Sequence, residues 1–317
     1  MAGELGLGVL GLHEGRTLLV ALCHTAPGAI GTSRYVRPGE AWPPGTRRAP
    51  HVRAVAGCDL RADKITEARA ACPDLFYTTD YDAMLARDDI DIVAIYTPDA
   101  WHGEHIVRAF EAGKHVICTK PLVNSPADAE RVRDAARRTG RRLLVGQSTR
   151  FFEPFQRQRR AFEQGELGTV ELADAHYVHR MDWFYDKSAW ATSDTDWVYL
   201  GLSHPLDLIR WYLGPIAEVH ALGSRSALAQ RYQVRSFDIY CVTLRSVDGR
   251  VGRAMGHYGL HELPSARNAI ELVLYGSAGT SMAQYHDMRF LHTAPDGTEI
   301  CEDALYSRRG HFFNNET

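Results

Sequence analysis

The stretch that decides the fold is LGLGVLGLHEGR, residues 5–16. Its apolar, glycine-interrupted part, Leu5–Leu12, predicts a first β-strand, and the apolar pattern of Arg16–Cys23 predicts the helix that follows. Small residues at such a strand-to-helix turn allow backbone N–H groups and a helix N-terminus to approach a pyrophosphate. We therefore predict a dinucleotide-binding turn that consists of Gly11, His13, Glu14 and Gly15.

The glycine spacing in this turn departs from the usual dinucleotide pattern. The string G-x-G-x-x-G occurs at Gly6, Gly8 and Gly11, but this register lies largely inside the predicted strand. If the pattern is started at Gly11, its second and third glycine positions hold His13 and Arg16. The glycines alone are therefore a weak signal, and the residues around them must support the prediction.

A carboxylate supports it at the end of the next predicted strand, Val52–Cys58, which is followed by Asp59. An acidic side chain there can accept hydrogen bonds from both ribose hydroxyls of an adenosine, and it would repel a 2′-phosphate. NAD is thus favoured over NADP, although Arg61 could weaken the preference for NAD. The intervening proline-rich stretch, Pro27–Pro50, is read as a loop insertion, either a surface excursion or oligomer contact or an active-site lid.

The two halves of the chain differ in their apolar pattern. Residues 1–148 alternate short apolar strands with helices, which predicts an α/β Rossmann domain with a doubly wound parallel sheet. Residues 149–317 begin with a helix and continue in period-2 strands, which predicts an α+β substrate-binding and oligomerisation domain with a mainly antiparallel sheet. The further predicted helices are Ala62–Cys72, Tyr81–Ala86, Trp101–Ala112, Pro126–Thr139 and Pro154–Gln164. The further predicted strands are Asp91–Tyr96, His115–Cys118, Arg142–Gly146, Phe237–Leu244 and Asn268–Tyr275.

Composition narrows the class of protein further. The net charge is −3 without a long basic run, which argues against a nucleic-acid partner. No apolar stretch approaches the ~20 residues that span a bilayer, and no cationic leader precedes Glu4, so we expect no membrane partner and a cytoplasmic protein. Six scattered cysteines without C-x-x-C spacing predict buried reduced thiols and no metal site.

A sharper signal comes from Tyr96-Thr97-Pro98, from His102, and from the run AGKHVICTKP that ends at Pro121. Together with RFFEP at Arg150–Pro154 and SHPLDL at Ser203–Leu208, these motifs resemble those of the Gfo/Idh/MocA family, the glucose-fructose oxidoreductase and inositol dehydrogenase group. The resemblance covers nearly the whole chain. It implies a dehydrogenase or reductase that uses NAD, or less readily NADP, on CH–OH groups of sugars or cyclitols.

By the same resemblance, Lys120 and His204 would be the catalytic residues, and both would flank one substrate carbon. A histidine can take the hydroxyl proton at neutral pH, and a lysine ammonium can stabilise the developing alkoxide. The resemblance also places further residues at the cofactor: Thr97, Pro98, His102, Thr119 and Lys120 itself.

The chain departs from the family pattern in three places. Thr119 replaces the glutamate of the family's E-K-P, and Leu200 stands where an acidic residue commonly precedes the catalytic histidine. Members also usually continue beyond the stretch Phe313–Glu316, which leaves two alternatives open, a missing closing helix or a shortened chain. Asp207 matches a mainly structural aspartate of the family, while the missing polar contact of His204 is left open between Tyr199, Asp196 and Asp182.

Two interpretations stay open at this stage. The aromatic cluster of Trp183, Phe184, Tyr185 and Trp190 is either core or dimer interface, or a platform for a sugar ring. An NAD-dependent sugar or polyol oxidoreductase that forms a homodimer or homotetramer is the leading hypothesis. The alternatives are an enzyme that uses tightly bound NAD for transient oxidation in elimination, epimerisation or glycoside cleavage, and a non-catalytic NAD-binding sensor.

Overall fold

A computed structural model describes residues 4–23, 52–260, 268–285 and 289–302. These residues form two compact units, one ending at Ser148 and the other beginning at Thr149. The predicted insertion Pro27–Pro50 and the stretch Phe313–Glu316 lie outside the described residues. Within those ranges, no helix is both long and apolar enough to span a membrane.

The N-terminal unit is a six-stranded sheet with helices. All its strands run parallel in the order β3-β2-β1-β4-β5-β6, which confirms the predicted doubly wound Rossmann domain. Its strands are β1 (Leu5–Leu10), β2 (Val52–Cys58), β3 (Phe76–Thr78), β4 (Ile92–Ile95), β5 (His115–Thr119) and β6 (Leu143–Gly146). Its helices are α1 (Arg16–Cys23), α2 (Ala62–Ala71), α3 (Tyr81–Leu85), α4 (His102–Glu111) and α5 (Pro126–Thr139).

Two sets of apolar side chains stabilise this unit. One includes Leu18, Leu19 and Leu22 of α1. The other includes Ile106 and Phe110 of α4. The helix termini follow the sequence signals, since the Ser125 hydroxyl accepts a hydrogen bond from Asp128 N (3.1 Å) at the start of α5.

The C-terminal unit contains an eight-stranded sheet in the order β14-β13-β12-β11-β7-β10-β9-β8. Only β7 and β10 pair in parallel, so the predicted mainly antiparallel sheet is confirmed. Its strands are β7 (Val170–His179), β8 (Ile216–Ser224), β9 (Ile239–Ser246), β10 (Val251–His257), β11 (Asn268–Gly276), β12 (Thr280–Gln284), β13 (Arg289–Thr293) and β14 (Glu299–Glu302). Its helices are α6 (Glu153–Glu163), α7 (Asp182–Lys187), α8 (Trp197–Leu200), α9 (Ser203–Leu213) and α10 (Ala227–Arg231).

The cysteine prediction is correct only in part. Cys58, Cys72 and Cys118 are buried thiols, but Cys241 and Cys301 are exposed. Cys241 is exposed because β9 buries every second side chain and Cys241 falls on the outward side of that alternation, and Cys301 lies in β14, which is largely exposed.

Candidate functional site

The carboxyl ends of four parallel strands form one aligned edge in the N-terminal unit. Leu10 of β1 lies beside Cys58 of β2 and Ile95 of β4, and Ile95 lies beside Cys118 of β5. The strand order reverses between β1 and β4, and the crevice at such a reversal is where open α/β sheets bind ligands. This edge carries the predicted residues Gly11, Asp59, Thr97, Pro98, Thr119 and Lys120.

Gly11 is required by the geometry of this edge. Its φ is +92°, and a Cβ at this position would lie 2.7 Å from the backbone carbon and oxygen of Tyr96. Gly15 is equally restricted, since a Cβ there would lie 2.5 Å from Gly11 O and from Val9 Cγ1. The two glycines thus let the turn pack directly against the end of β4 and against β1, where no side chain would fit, although β1 ends at Leu10 and not at Leu12.

The side chains of His13 and Glu14 lie on the outside of this turn. They are 52% and 43% exposed, and His13 Nε2 is 3.8 Å from Glu14 Oε1. The helix α1 starts two residues later, at Arg16. Their contact with a cofactor stays a prediction.

Asp59 connects the end of β2 to the glycine turn. Its carboxylate accepts hydrogen bonds from Leu12 N (2.7 Å) and from Arg61 N (2.9 Å). Carboxylate oxygens have further lone pairs, so the group can still accept from ribose hydroxyls. The Arg61 guanidinium is paired with Asp63, with an Nη2–Oδ2 distance of 2.6 Å. Arg61 therefore already has a carboxylate partner and offers less to a 2′-phosphate than the sequence suggested.

The His102 ring contacts the backbone that follows two neighbouring strands. It is buried, its Nε2 lies 2.8 Å from Thr97 O, and its Nδ1 lies 2.8 Å from Pro121 O. Burial lowers the pKa of His102. A neutral ring has one N–H, so His102 donates to only one of these two carbonyls, and it lies between the segment after β4 and the segment after β5. A direct cofactor contact by this residue remains a prediction.

Thr97 and Thr119 contact neighbouring groups within the same edge. The Thr97 hydroxyl lies 3.0 Å from His105 Nδ1, and the Thr119 hydroxyl donates to Ile95 O at 3.3 Å. Burial lowers the pKa of His105 to about 4, so this ring is neutral. The side chain that replaces the family's glutamate is thus a neutral hydroxyl bonded to β4.

Lys120 follows β5, and the peptide bond to Pro121 is cis. Burial lowers the pKa of the Lys120 ammonium to about 8, while the carboxylate of Asp99 acts in the opposite direction. Asp99 itself is only 3% exposed and begins a short 3-10 helix just after β4. The sequence analysis missed Asp99, although its position after Thr97-Pro98 at a strand end was a signal that could have identified it.

His204 lies in the C-terminal unit, in the first turn of α9, and is 2% exposed. Its Nδ1 is 2.8 Å from the hydroxyl of Thr149, a residue that the sequence analysis did not single out. Two of the proposed partners are engaged elsewhere. Asp182 pairs with Arg180 at 2.6 Å, and Asp196 accepts from Val198 N (2.9 Å) and Tyr240 OH (2.7 Å). Asp207 forms a two-bond ion pair with Arg150, at 2.6 Å for each bond.

The aromatic cluster divides between core and surface. Tyr185 is buried, whereas Trp183 is 38% exposed and lies with its ring centroid 5.8 Å from that of His179. The ring centroid of Tyr177 lies 6.2 Å from that of His179 and 5.5 Å from that of His204, against which Tyr177 packs edge-on. Tyr185 therefore belongs to the core and Trp183 is the most exposed ring of the cluster, while the dimer interface and the platform for a sugar ring both stay predictions.

The fold and this edge define a two-unit protein whose N-terminal part is a dinucleotide-binding Rossmann domain. The sequence matches a family model described as oxidoreductase family, NAD-binding Rossmann fold, over residues 28–147, and the Gfo/Idh/MocA C-terminal domain over residues 155–281. The chain belongs to the Gfo/Idh/MocA family of oxidoreductases. The matched range begins at residue 28, so the glycine turn is supported by the structure and not by that match.

Three relatives illustrate the range of the family. The chain is 29% identical to 1-carboxy-3-chloro-3,4-dihydroxycyclo hexa-1,5-diene dehydrogenase of Comamonas testosteroni, over 57% of this chain and 46% of that enzyme. It is 32% identical to inositol 2-dehydrogenase of Gluconacetobacter diazotrophicus, over 59% of this chain and 52% of that enzyme. It thus spans about half the length of these curated relatives. The WlbA dehydrogenase of Bordetella pertussis, solved with NADH and UDP-GlcNAcA, has the same fold, with a TM-score of 0.74 at 21% identity over 90% of this chain and 75% of that one.

Proposed function

We propose that this chain uses NAD to oxidise a secondary alcohol, or to reduce the corresponding ketone, on a sugar, a cyclitol or a sugar derivative. The observation that carries the proposal is the strand edge on which the Gly11 turn, Asp59 and Lys120 lie together. The turn fits a dinucleotide because it leads from the end of β1 directly into the N-terminus of α1 at Arg16, where backbone N–H groups can meet a pyrophosphate. When it is bound, NAD supplies the hydride acceptor or donor.

In this proposal, the residues of the chain handle the proton and the charge on the substrate oxygen. His204 takes the hydroxyl proton during alcohol oxidation and returns it during ketone reduction. The Lys120 ammonium stabilises the negative charge that develops on that oxygen. Gly11, His13, Glu14, Gly15, Asp59, Thr97, Pro98, His102 and Thr119 bind the cofactor or position the groups that do.

The names of the relatives favour a hydroxylated ring as substrate, and Trp183 offers an exposed ring face in the C-terminal unit. The proposal is tested by a screen of cyclitols, sugars and nucleotide sugars with NAD, followed at the absorbance of reduced nicotinamide. Turnover with added NAD supports it. Absence of NADH and NADPH binding in a fluorescence titration refutes it, and turnover without added cofactor by protein that retains NAD indicates the tightly bound mode.

We also propose that the protein works as a homodimer or homotetramer, with the outward face of the eight-stranded sheet as the contact. One row across this face joins Leu222 of β8, Cys241 of β9 and Met255 of β10. Leu222 is 66% exposed and Met255 is 37% exposed, and an apolar row of this kind is typical of a surface that another protein covers. The mass of the particle in solution, measured by light scattering, tests this proposal.

Asp59 should determine the choice of cofactor. We expect the wild-type protein to bind NADH at least about tenfold more tightly than NADPH, since the Asp59 carboxylate repels a 2′-phosphate. Asp59→Asn keeps an acceptor for Leu12 N and removes the charge, so it should reduce this ratio several-fold. The measurement is a pair of fluorescence titrations on each protein. An unchanged ratio in the variant would show that Asp59 does not face the ribose.

Asp99 should set the alkaline limit of activity. Lys120 is an ammonium below its pKa of about 8, so kcat/KM is expected to fall as the pH rises through that value. Because the Asp99 carboxylate raises the pKa of Lys120, Asp99→Asn should move this limit to lower pH. Asp74→Asn, which removes an exposed carboxylate between α2 and β3, is the matched control and should leave the profile in place. If Asp99→Asn and Asp74→Asn showed the same alkaline limit of kcat/KM, Asp99 would not influence the pKa of Lys120.

A further inference from the structure

Residues Thr149 and Arg150 contact two side chains that lie one helical turn apart on α9. The Thr149 hydroxyl is 2.8 Å from His204 Nδ1, and Arg150 makes a two-bond ion pair with Asp207. Positions three apart on a helix share a face, so Thr149 and Arg150 contact the same face of α9. The ion pair thereby fixes the segment on which Thr149 stands.

This contact is buried. Thr149 and His204 are each 2% exposed, and the Tyr177 ring covers His204 edge-on at 5.5 Å. A buried imidazole keeps the orientation that its hydrogen-bond partner favours, because bulk solvent does not compete for that nitrogen.

We propose that Thr149 is the positioning residue of His204, and that it holds the ring through Nδ1 so that Nε2 is the nitrogen that exchanges a proton with the substrate. This inference rests on the proposed function, and it deepens it. The sequence left this position open between Tyr199, Asp196 and Asp182, because Leu200 occupies the place of the family's usual acidic residue.

A hydroxyl and a carboxylate at Nδ1 would hold the His204 ring in different ways. A carboxylate only accepts, so it holds the proton on Nδ1 and stabilises the imidazolium. A threonine hydroxyl donates or accepts, and therefore allows both neutral tautomers. Only the form with Nδ1–H donating to Thr149 has an unprotonated Nε2, whose lone pair can take the alcohol proton. Proton transfer to Nε2 then gives an imidazolium whose Nδ1–H still donates to the same hydroxyl.

The test is a set of three substitutions at residue 149, read by the ¹⁵N resonances of the His204 ring. His204→Gln serves to assign these resonances. Thr149→Ser should retain the wild-type tautomer ratio, Thr149→Val should reduce the Nδ1–H form, and Thr149→Asp should increase it. Thr149→Asp should also raise the pKa of His204 by about one unit or more, since a carboxylate favours the charged ring. Thermal unfolding establishes that each variant is folded.

Activity provides the second readout. In alcohol oxidation, Thr149→Val should lower kcat by about tenfold with little change in KM, and Thr149→Asp should move the acidic limit of kcat/KM to higher pH. Identical tautomer ratios and His204 titrations in the wild type, Thr149→Val and Thr149→Asp would overturn the proposal. If the ring responds as expected but no polyol or sugar is turned over, the positioning role stands and the proposed function fails.

Discussion

Replacing Lys120 with methionine is expected to lower kcat by about 10²–10³-fold while leaving NADH affinity within about twofold. Methionine keeps the length and apolar stem of lysine, but it has no charge to place beside the substrate oxygen. Since the stabilised charge exists mainly in the transition state, the loss should fall on kcat more than on KM. Steady-state kinetics and a fluorescence titration with NADH measure the two quantities separately.

The second lysine of the same motif is the matched control. Lys114 stands six residues earlier, and its ammonium donates to Arg87 O at 2.8 Å, which is a structural contact. Lys114→Met should lower thermal stability and leave the kcat of the folded protein close to wild type. Equal losses of kcat in the two variants, or full activity in Lys120→Met, would contradict the role given to Lys120.

Gly11→Ala is expected to abolish tight NADH binding and to destabilise the N-terminal unit by about 3 kcal/mol or more. Two effects combine at this position. The φ of +92° is strained for a residue with a side chain, and the added Cβ would lie 2.7 Å from the backbone of Tyr96. Relief of this overlap requires the turn to move away from β4, so the surface that approaches the cofactor is lost.

Gly113→Ala separates the two effects. Gly113 also has a positive φ, +79°, but a Cβ there would meet no atom within 4 Å. It should therefore show only the backbone strain, about 1–2 kcal/mol, and should retain NADH binding. Chemical denaturation and NADH titration of the two variants measure the difference. Wild-type NADH affinity in Gly11→Ala would show that the turn does not approach the cofactor.

Helices and strands were predicted most accurately where the local pattern of apolar residues matched the burial of their side chains. The helix Arg16–Cys23 and the strand Val52–Cys58 were predicted with the bounds that the structure has, because their apolar side chains are buried in the two cores of the N-terminal unit. The strand β3 was missed. It has only three residues, Phe76–Thr78, all of them partly exposed, and so it presents no apolar alternation.

The strand β7 was missed for a different reason. Its buried positions include Ala173, Ala175 and His179, so the inward face is small or polar and does not read as an apolar alternation. The helices α7 to α10 were also missed. The contact between Thr149 and His204 joins residues 55 positions apart, and no local pattern encodes such a pair. Family resemblance suggested catalytic roles for Lys120 and His204, but it could not supply their neighbours Asp99 and Thr149.

The transfer of a carbon-bound hydrogen between substrate and nicotinamide tests the account most directly. The protein is incubated with NAD and with a substrate from the screen that carries deuterium on the carbon to be oxidised, and the reduced cofactor is analysed by mass spectrometry. We predict one deuterium in the nicotinamide ring for each ketone formed, and loss of this transfer in both Lys120→Met and His204→Ala. Ketone formation with an unlabelled nicotinamide would contradict the account.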